Sequence, residues 1–213
     1  MSGVQISHHP PSPSRFPDLP ELLVIRHGET VWNRESRWQG HLDSPLTELG
    51  KRQARELGWL LADMGVTPAT HEMRVSPQGR ARATAKLIAG ITGHGIFEDD
   101  RLREIGVGDF TGKTREEILA AAGLGADAHF LEAYARAPQG ETFDAVMARV
   151  TDLLADLSRP VVLVTHGITS RFLRTAALGL GLDRLDELPG GQGVIHRIRG
   201  GNHDTLDASG PET

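Results

Sequence analysis

One sequence pattern that occurs twice restricts the fold of this chain more than any other feature. Leu22–Ile25 is an apolar run followed at once by Arg-His-Gly at residues 26–28, and Val161–Val164 is followed in the same way by Thr-His-Gly at residues 165–167. Continuous apolar runs of this kind are typical of parallel strands that are covered on both faces. A histidine directly after such a run therefore lies at the carboxyl end of a buried strand.

The rest of the chain alternates between helical and strand patterns. Apolar residues at three- and four-residue spacing predict helices over residues 47–64, 76–90, 127–137, 142–157 and 168–180. Further strands are predicted at 71–75, 194–198 and 203–206, and a capping box at 114–117 begins one more helix. Strands that alternate with helices favour an α/β domain whose mostly parallel sheet is covered on both sides.

Length and local composition favour one domain with short tails. A chain of 213 residues is long enough for a single α/β core. Residues 1–20 are rich in proline and serine and contain no long apolar stretch, which predicts a poorly ordered tail rather than a secretory signal. The domain is predicted over residues 21–208, with a C-terminal tail at 209–213, and the cytoplasm is the default location.

Composition excludes several classes of function. A net charge of -5 leaves no basic surplus for general nucleic-acid binding. The chain has no cysteine, which rules out disulfides, thiolate metal sites and a cysteine nucleophile. No apolar run approaches the length of a membrane span. No metal-binding signature and no Asp-x-Asp nucleophile motif occur, so we expect no metal and no cofactor; the oligomeric state is left open.

The two histidines predict an anion site. Ligands of parallel sheets bind beyond the carboxyl ends of the strands, so His27 and His166 are expected to face one pocket. The glycine after each permits close approach, and a helix beginning there would offer N–H groups to an anion. Arg26, Arg80 at the start of a helix and Asn33 in a loop would add donors for a phosphoryl group. Alternatively, each histidine is a buried structural residue.

At this point the chain resembles the histidine phosphatase superfamily, also called the phosphoglycerate mutase-like superfamily. The resemblance covers nearly all of the chain after residue 21. It rests on five blocks in family order: Arg26-His27-Gly28-Glu29-Thr30 with Asn33, Gln39-Gly40 and Pro45-Leu46-Thr47; Ser76-Pro77 with Arg80-Ala81; Leu102-Arg103-Glu104-Ile105; Gly140-Glu141-Thr142; and Thr165-His166-Gly167. The resemblance implies a three-layer α/β/α sandwich with a mostly parallel central sheet.

The resemblance also implies roles for these residues. His27 is the nucleophile that becomes phosphorylated, Arg26, Arg80 and His166 hold the phosphoryl group, and Glu104 is the proton donor. The remaining implied contacts are Asn33 and the Gly167 backbone at the phosphoryl group, and Gln39 and Gly40 on the substrate side. Elementary chemistry agrees, because a neutral imidazole can attack phosphorus and a carboxylic acid can protonate a leaving alkoxide.

A few residues depart from the family pattern or fall outside it. Gln78 and Gly79 stand where the family commonly has a leucine and a small polar residue, and Val75 replaces a frequent serine. These changes affect the expected start and packing of the helix that carries Arg80. Six other histidines match no catalytic position and are expected to be surface or structural residues: His41, His71, His94, His129, His196 and His203.

The superfamily contains both hydrolases and mutases. Its mutases carry a longer insertion with basic residues after the acid glutamate. Here 35 residues separate Glu104 from Gly140, with Lys113, Arg115 and Arg136 as the basic residues. We therefore predict a metal-independent phosphomonoester hydrolase that acts through phosphohistidine on a small phosphorylated metabolite. The alternatives are a phosphoglycerate mutase and, from another class, a non-catalytic phosphate-binding domain.

Overall fold

The computed structural model describes residues 16–208, and these form one six-stranded sheet with seven α-helices. The strands are β1 (Leu22–Arg26), β2 (Glu72–Val75), β3 (Phe97–Glu98), β4 (Val161–Thr165), β5 (Val194–Arg199) and β6 (Asn202–Asp207). The helices are α1 (Val31–Arg34), α2 (Glu48–Asp63), α3 (Gly79–Thr92), α4 (Arg115–Ala122), α5 (Phe130–Ala135), α6 (Phe143–Ala155) and α7 (Gly167–Ala177). Short 3₁₀ turns occur at Asp100–Leu102, Gly108–Phe110 and Leu182–Arg184.

The strand order is β3-β2-β4-β1-β5-β6, with β1 and β4 at the centre. Strands β3, β2, β4 and β1 are parallel to one another, whereas β5 is antiparallel to β1 and pairs with β6 as a hairpin. The prediction of a mostly parallel α/β sheet that ends in a strand pair is confirmed.

Alternate residues of the central strands face two separate cores. On β1, Leu22 and Val24 join the core beneath α6 and α7, while Leu23 and Ile25 join the core beneath α2 and α3. All four side chains are fully buried, which explains why the strand reads as a continuous apolar run. Helices on both faces of the sheet give the three-layer sandwich.

Most predicted elements form, but several helix boundaries differ. Helix α3 begins at Gly79 rather than at Ser76, because the Ser76 N–H still donates to the carbonyl of Val164 and continues the sheet. It passes through Gly90 and ends at Gly93, whose φ of 77° no other residue adopts easily. Helix α7 stops at residue 177, short of residue 180, because Gly179 turns the chain with a φ of 67°.

Other predicted boundaries are longer or shorter than observed. Helix α5 covers only residues 130–135 of the predicted 127–137, and the short elements α1 and β3 were not predicted. Phe16 and Leu19, assigned to the tail from sequence, pack against the core below α6 and α7. The rest of the predicted N-terminal tail and all of the C-terminal tail lie outside the described residues. Within residues 16–208, no helix is long and apolar enough to cross a membrane.

Candidate active site

The pairing of β1 with β4 brings the two predicted histidines together. Arg26 is paired with Thr165 in the parallel register, and the His27 N–H donates to the Thr165 carbonyl at 2.9 Å. The next residue of each chain segment is therefore delivered to the same edge of the sheet. The ring centroids of His27 and His166 lie 5.2 Å apart, as the duplicated pattern predicts.

His27 is held with one ring nitrogen anchored and the other directed toward a cationic group. Its Nδ1 lies 2.8 Å from the Gly28 carbonyl, which can only accept, so Nδ1 carries the proton. The Nε2 lone pair accepts from Nε of Arg80 at 3.2 Å. Burial, followed by the charges of Arg26 and Arg80, holds the pKa of His27 well below its usual range. A neutral imidazole is the form that can act as a nucleophile.

His166 is anchored through the opposite nitrogen. Its Nε2 lies 2.7 Å from the Ser76 hydroxyl, and its buried Nδ1 has no hydrogen-bond partner among the described residues. Burial, then the charge of Arg80, lowers the pKa of His166 well below the usual value. Because Ser76 takes Nε2, Nδ1 is the atom left for a ligand.

The two arginines of the site differ in how much of their bonding capacity the protein uses. Arg80 is buried, and besides His27 it donates to the carbonyls of Gly40 and Leu42 and to the carboxylate of Asp43. Arg26, by contrast, has a buried Nε without a hydrogen-bond partner within residues 16–208. Arg80 is thus a fixed charge, whereas the guanidinium of Arg26 is available to a ligand.

Glu104 occupies the N-terminus of α7. Its Oε1 accepts from the N–H groups of Ile105 and Thr169 at 3.1 and 3.0 Å, and its Oε2 accepts from the Ile168 N–H at 3.2 Å. The hydroxyls of Thr165 and Thr169 hold the preceding carbonyls at residues 102 and 103. The negative charge of a carboxylate and the positive end of the helix dipole stabilise each other.

The expected helix begins directly after His166 but not directly after His27, and the side chain of Glu104 occupies part of its N-terminus. Helix α7 does begin at Gly167, but its Ile168 and Thr169 N–H groups bind Glu104. No helix begins at Gly28, whose N–H donates to the Thr84 hydroxyl. A Cβ at residue 167 would lie 3.5 Å from the carbon of the Arg26 guanidinium, which is an ordinary van der Waals distance.

Asn33 lies in the one-turn helix α1 rather than in a loop. Its Oδ1 accepts from the N–H of Thr30 and from Nε2 of Gln192, so these bonds leave its amide NH₂ group for other partners. Gln39 donates to the Thr30 hydroxyl, and its own buried Oε1 has no partner among the described residues. Both side chains therefore offer polar groups to a ligand.

A cavity of about 260 Å³ lies in front of this cluster. Its lining includes Arg26, His27, Asn33, Gln39, Gly40, Arg80 and Glu104 from the predicted set, together with Ser36, Arg37, Trp38, Val107, Arg115 and Tyr134. His166 and Gly167 are absent from this lining, although the ring of His166 lies next to that of His27. Trp38 and Tyr134 form one wall as stacked rings 3.8 Å apart.

Comparison with known proteins decides the family. A family model described as histidine phosphatase superfamily (branch 1) matches residues 22–206. The chain belongs to the histidine phosphatase superfamily. Its relatives and structural neighbours in this superfamily are phosphatases and mutases, and both are classes of enzyme.

The relatives carry both kinds of name. A protein of Klebsiella pneumoniae subsp. pneumoniae named "Probable phosphoglycerate mutase GpmB" is 36% identical over 168 residues, or 75% of each chain. A mycobacterial glucosyl-3-phosphoglycerate phosphatase, solved with VO3, is 33% identical with a TM-score of 0.71 over 84% of this chain and 92% of that one. The α-ribazole phosphatase from Shigella flexneri is 26% identical with a TM-score of 0.72 over 84% and 90%.

Asp43 and Ser76 belong to the family motifs of the sequence and Gln78 departs from them, but the contacts by which they position this histidine phosphatase site were not predicted. Asp43 binds Arg80, Ser76 binds His166, Gln78 binds the Glu104 N–H, and Gln192 donates to the His27 carbonyl at 2.9 Å. Ser76 stands in a quoted block, but its partner is 90 residues away in the chain. No local pattern could have connected the two.

The remaining histidines lie outside this cavity. His71, His94 and His196 are buried, and His41 and His129 are exposed. Among residues 16–208, no three histidine, aspartate or glutamate side chains are grouped so that they could hold a metal ion. Metal independence stays a prediction that requires measurement.

Proposed function

We propose that this protein hydrolyses phosphomonoesters through a phosphohistidine formed on Nε2 of His27. The observation that carries the proposal is the arrangement around that nitrogen. The ring is neutral, its Nδ1 is anchored to a backbone carbonyl, and both Arg26 and Arg80 line the same cavity. A neutral nucleophile between two fixed cations suits attack on a phosphoryl group, whose transition state spreads charge over its equatorial oxygens.

In the first step, the Nε2 lone pair of His27 forms a bond to phosphorus and the bond from phosphorus to the ester oxygen breaks. The hydrogen bond from Arg80 Nε to Nε2 has to give way to that attack. Arg26, Arg80 and Nδ1 of His166 are the donors closest to the developing charge. The Nδ1–H of His27 stays on the Gly28 carbonyl, which stabilises the positive charge of the phosphorylated ring.

Glu104 supplies the proton that the leaving alkoxide needs. Within the part of the chain that the structure describes, Oε2 accepts one hydrogen bond, from the Ile168 N–H, whereas Oε1 accepts two backbone bonds and lies 3.1 Å from the Thr169 hydroxyl. Oε2 is therefore the oxygen free to hold the proton in a carboxyl that lines the cavity. In the second step the carboxylate takes a proton from water, the new hydroxide oxygen bonds to phosphorus and the bond from phosphorus to Nε2 breaks.

The mouth of the cavity indicates a small substrate with polar or anionic groups beyond the phosphate. Arg37 and Arg115 line it, and Arg115 makes only long bonds of 3.4 and 3.5 Å to two backbone carbonyls. The structural neighbours act on a phosphorylated glucosyl glycerate and on α-ribazole phosphate, as their names say. We extend to this chain only the shared class, a small phosphorylated metabolite, with the cytoplasm as the expected location and without nucleic acid as a partner.

Phosphoglycerate mutase is the second candidate because curated relatives carry that name. A mutase returns the phosphoryl group from the histidine to another hydroxyl of the same substrate. The two functions therefore share every residue discussed above and differ in the fate of the phosphoenzyme.

A paired assay separates the candidates. We expect phosphate release from a panel of phosphorylated metabolites to exceed isomerisation of 3-phosphoglycerate primed with 2,3-bisphosphoglycerate. Rapid isomerisation that depends on the bisphosphate would favour the mutase, and inactivity in both assays would favour a non-catalytic binding domain. Turnover should also persist after exhaustive chelation, and its loss followed by recovery with one divalent ion would contradict metal independence.

A further inference from the structure

The side chain of Gln78 makes two short hydrogen bonds inside the protein. It is only 6% exposed and precedes the first residue of α3. Its Oε1 accepts from the Glu104 N–H at 2.7 Å, and its Nε2 donates to the Gly40 carbonyl at 2.7 Å. This is the position where the sequence departs from the leucine common in the family.

Gln78 does not use its side chain to cap its own helix. The carboxylate of Asp43 performs that task, with Oδ2 accepting from the Gly79 N–H at 2.7 Å and Oδ1 from the Arg80 N–H at 3.1 Å. A side chain at the start of a helix ordinarily binds the first free N–H groups. Because Asp43 binds them here, the amide of Gln78 is free to reach two other segments.

The two segments that Gln78 joins serve different parts of the reaction, namely phosphate binding and proton donation. The Gly40 carbonyl also accepts from Nη2 of Arg80 at 2.9 Å, so this loop belongs to the phosphate-binding half. The other segment contains Glu104, the proposed acid. One amide group therefore connects the backbone of the acid to a loop that holds a phosphate-binding arginine.

A leucine at this position would fill the space but would make neither bond. The Glu104 N–H would then lose a buried partner, and buried donors without partners are costly and rare. The segment could satisfy that N–H only by moving, and the carboxylate would move with it. Acid catalysis is sensitive to such displacement, because proton transfer requires hydrogen-bond distance to the leaving oxygen.

We propose that Gln78 is a positioning residue that sets the distance between Glu104 and the phosphoryl site. The inference rests on the proposed hydrolase function. It gives this chain a second support for its acid, in addition to the N-terminus of α7, at a position where a leucine is common.

The experiment compares Gln78→Leu with Gln78→Glu on a series of phosphomonoesters whose leaving groups range from nitrophenol to glycerol. For Gln78→Leu we expect kcat on glycerol phosphate to fall about 10- to 100-fold with KM changed less than about threefold, as for partial loss of acid catalysis. The rate of the first turnover on nitrophenyl phosphate and the affinity for inorganic phosphate should change little. Gln78→Glu keeps an acceptor for the Glu104 N–H but places a carboxylate oxygen against the Gly40 carbonyl, so its leaving-group dependence should lie between those of the wild type and Gln78→Leu.

Several outcomes would overturn the inference. Equal losses on all leaving groups, or weakened phosphate binding, would reduce Gln78 to a structural residue, and an unchanged kcat on every ester would remove it altogether. If the leucine variant does not fold, Gln78→Asn replaces it, since this amide is one methylene too short to span both partners. Absence of phosphohistidine and of phosphate release in the wild type would instead overturn the proposed function together with the inference.

Discussion

The ends of β1 and β4 carry the same residue pattern and are hydrogen-bonded neighbours, but the chain that follows each of them differs. After β1, Gly28 leads into an extended segment, and His27 is anchored by the Gly28 carbonyl next to it in the chain. After β4, α7 begins at once, and His166 is anchored by a distant hydroxyl, that of Ser76. The first histidine is oriented locally and the second by tertiary contact.

This difference explains how two similar histidines can take two roles. Anchoring through Nδ1 directs Nε2 of His27 toward the cavity, whereas anchoring through Nε2 leaves Nδ1 of His166 for a ligand. The helix that follows only the second histidine holds Glu104 at its N-terminus. The end of β1 thus supplies the nucleophile. The end of β4 supplies a hydrogen-bond donor and leads into the helix that supports the acid.

The largest expected effect tests the assignment of the two roles. His27→Ala should lower phosphate release by at least about four orders of magnitude, because the nucleophile has no substitute. His166→Ala should lower it by about a hundred- to a thousand-fold, as expected for one charge-stabilising donor. Both are measured as kcat on the best substrate, with near-ultraviolet circular dichroism as the control for folding. Residual activity ranked in the reverse order would exchange the two assignments.

The second prediction tests the acid at the helix that follows β4. Glu104→Gln should lower kcat on alkyl phosphates by about a hundred- to ten-thousand-fold, because the amide cannot give a proton to the leaving alkoxide. Aryl phosphates should still show a rapid burst, since nitrophenolate leaves without a proton, and then a slow steady rate. Phosphohistidine at His27 should accumulate.

Asp109 is the matched control for Glu104, because it is an exposed acid on the same segment of chain. Asp109→Asn should leave both substrate classes almost unchanged. Equal losses on alkyl and aryl substrates in Glu104→Gln, without a burst, would remove Glu104 from the acid role.

The third prediction concerns the anchor that distinguishes the two histidines. Ser76→Ala removes the hydrogen bond to His166 Nε2 while His27 keeps its backbone anchor. The loss of one hydrogen bond to a positioned group should lower kcat about tenfold. Combined with His166→Ala, the serine change should add almost nothing. Additive losses in the double variant would show that Ser76 acts elsewhere.

The smallest expected effect is on the free energy of unfolding, and it has the same sign for the two histidines. Burial lowers the pKa of both His27 and His166, and it lowers that of His196 to about 3. Below the unfolded value of 6.5, only the unfolded chain takes up these protons, so the free energy of unfolding is greatest above pH 6.5 and falls as the pH decreases. Each such group contributes at most about 1.4 kcal/mol per pH unit.

Denaturant unfolding between pH 7.5 and 5 measures the change of the unfolding free energy with pH. Carboxylates, which titrate at lower pH, contribute little to it in this range. His27→Asn and His166→Asn should each make the slope shallower. An unchanged slope in either variant would mean that the histidine concerned has the same pKa in the folded and the unfolded protein, which would contradict the lowered pKa.

Local sequence was sufficient wherever the controlling interaction is local. The apolar runs of β1 and β4 predicted two-sided burial, and the Thr114 capping box starts α4 as expected. The boundary of α3 was not predictable in this way, because Ser76 continues the sheet by bonding to Val164 of β4, a strand much further along the chain. The short α1 and the two-residue β3 likewise carry too few residues for a periodic pattern.

The sequence by itself determined the class of the fold, the order of its main elements and seven of the residues that line the cavity. Hydrophobic periodicity and the duplicated strand-end pattern are properties of neighbouring residues, so they can be read without a structure. Only the tertiary structure decided which hydrogen bonds hold the side chains of the site in place. Glu104 rather than a ligand takes the first N–H groups of α7, Asp43 caps α3, and Gln78 joins two loops. The physical reason is that each buried polar group must find a partner, and these partners come from segments that only folding brings together.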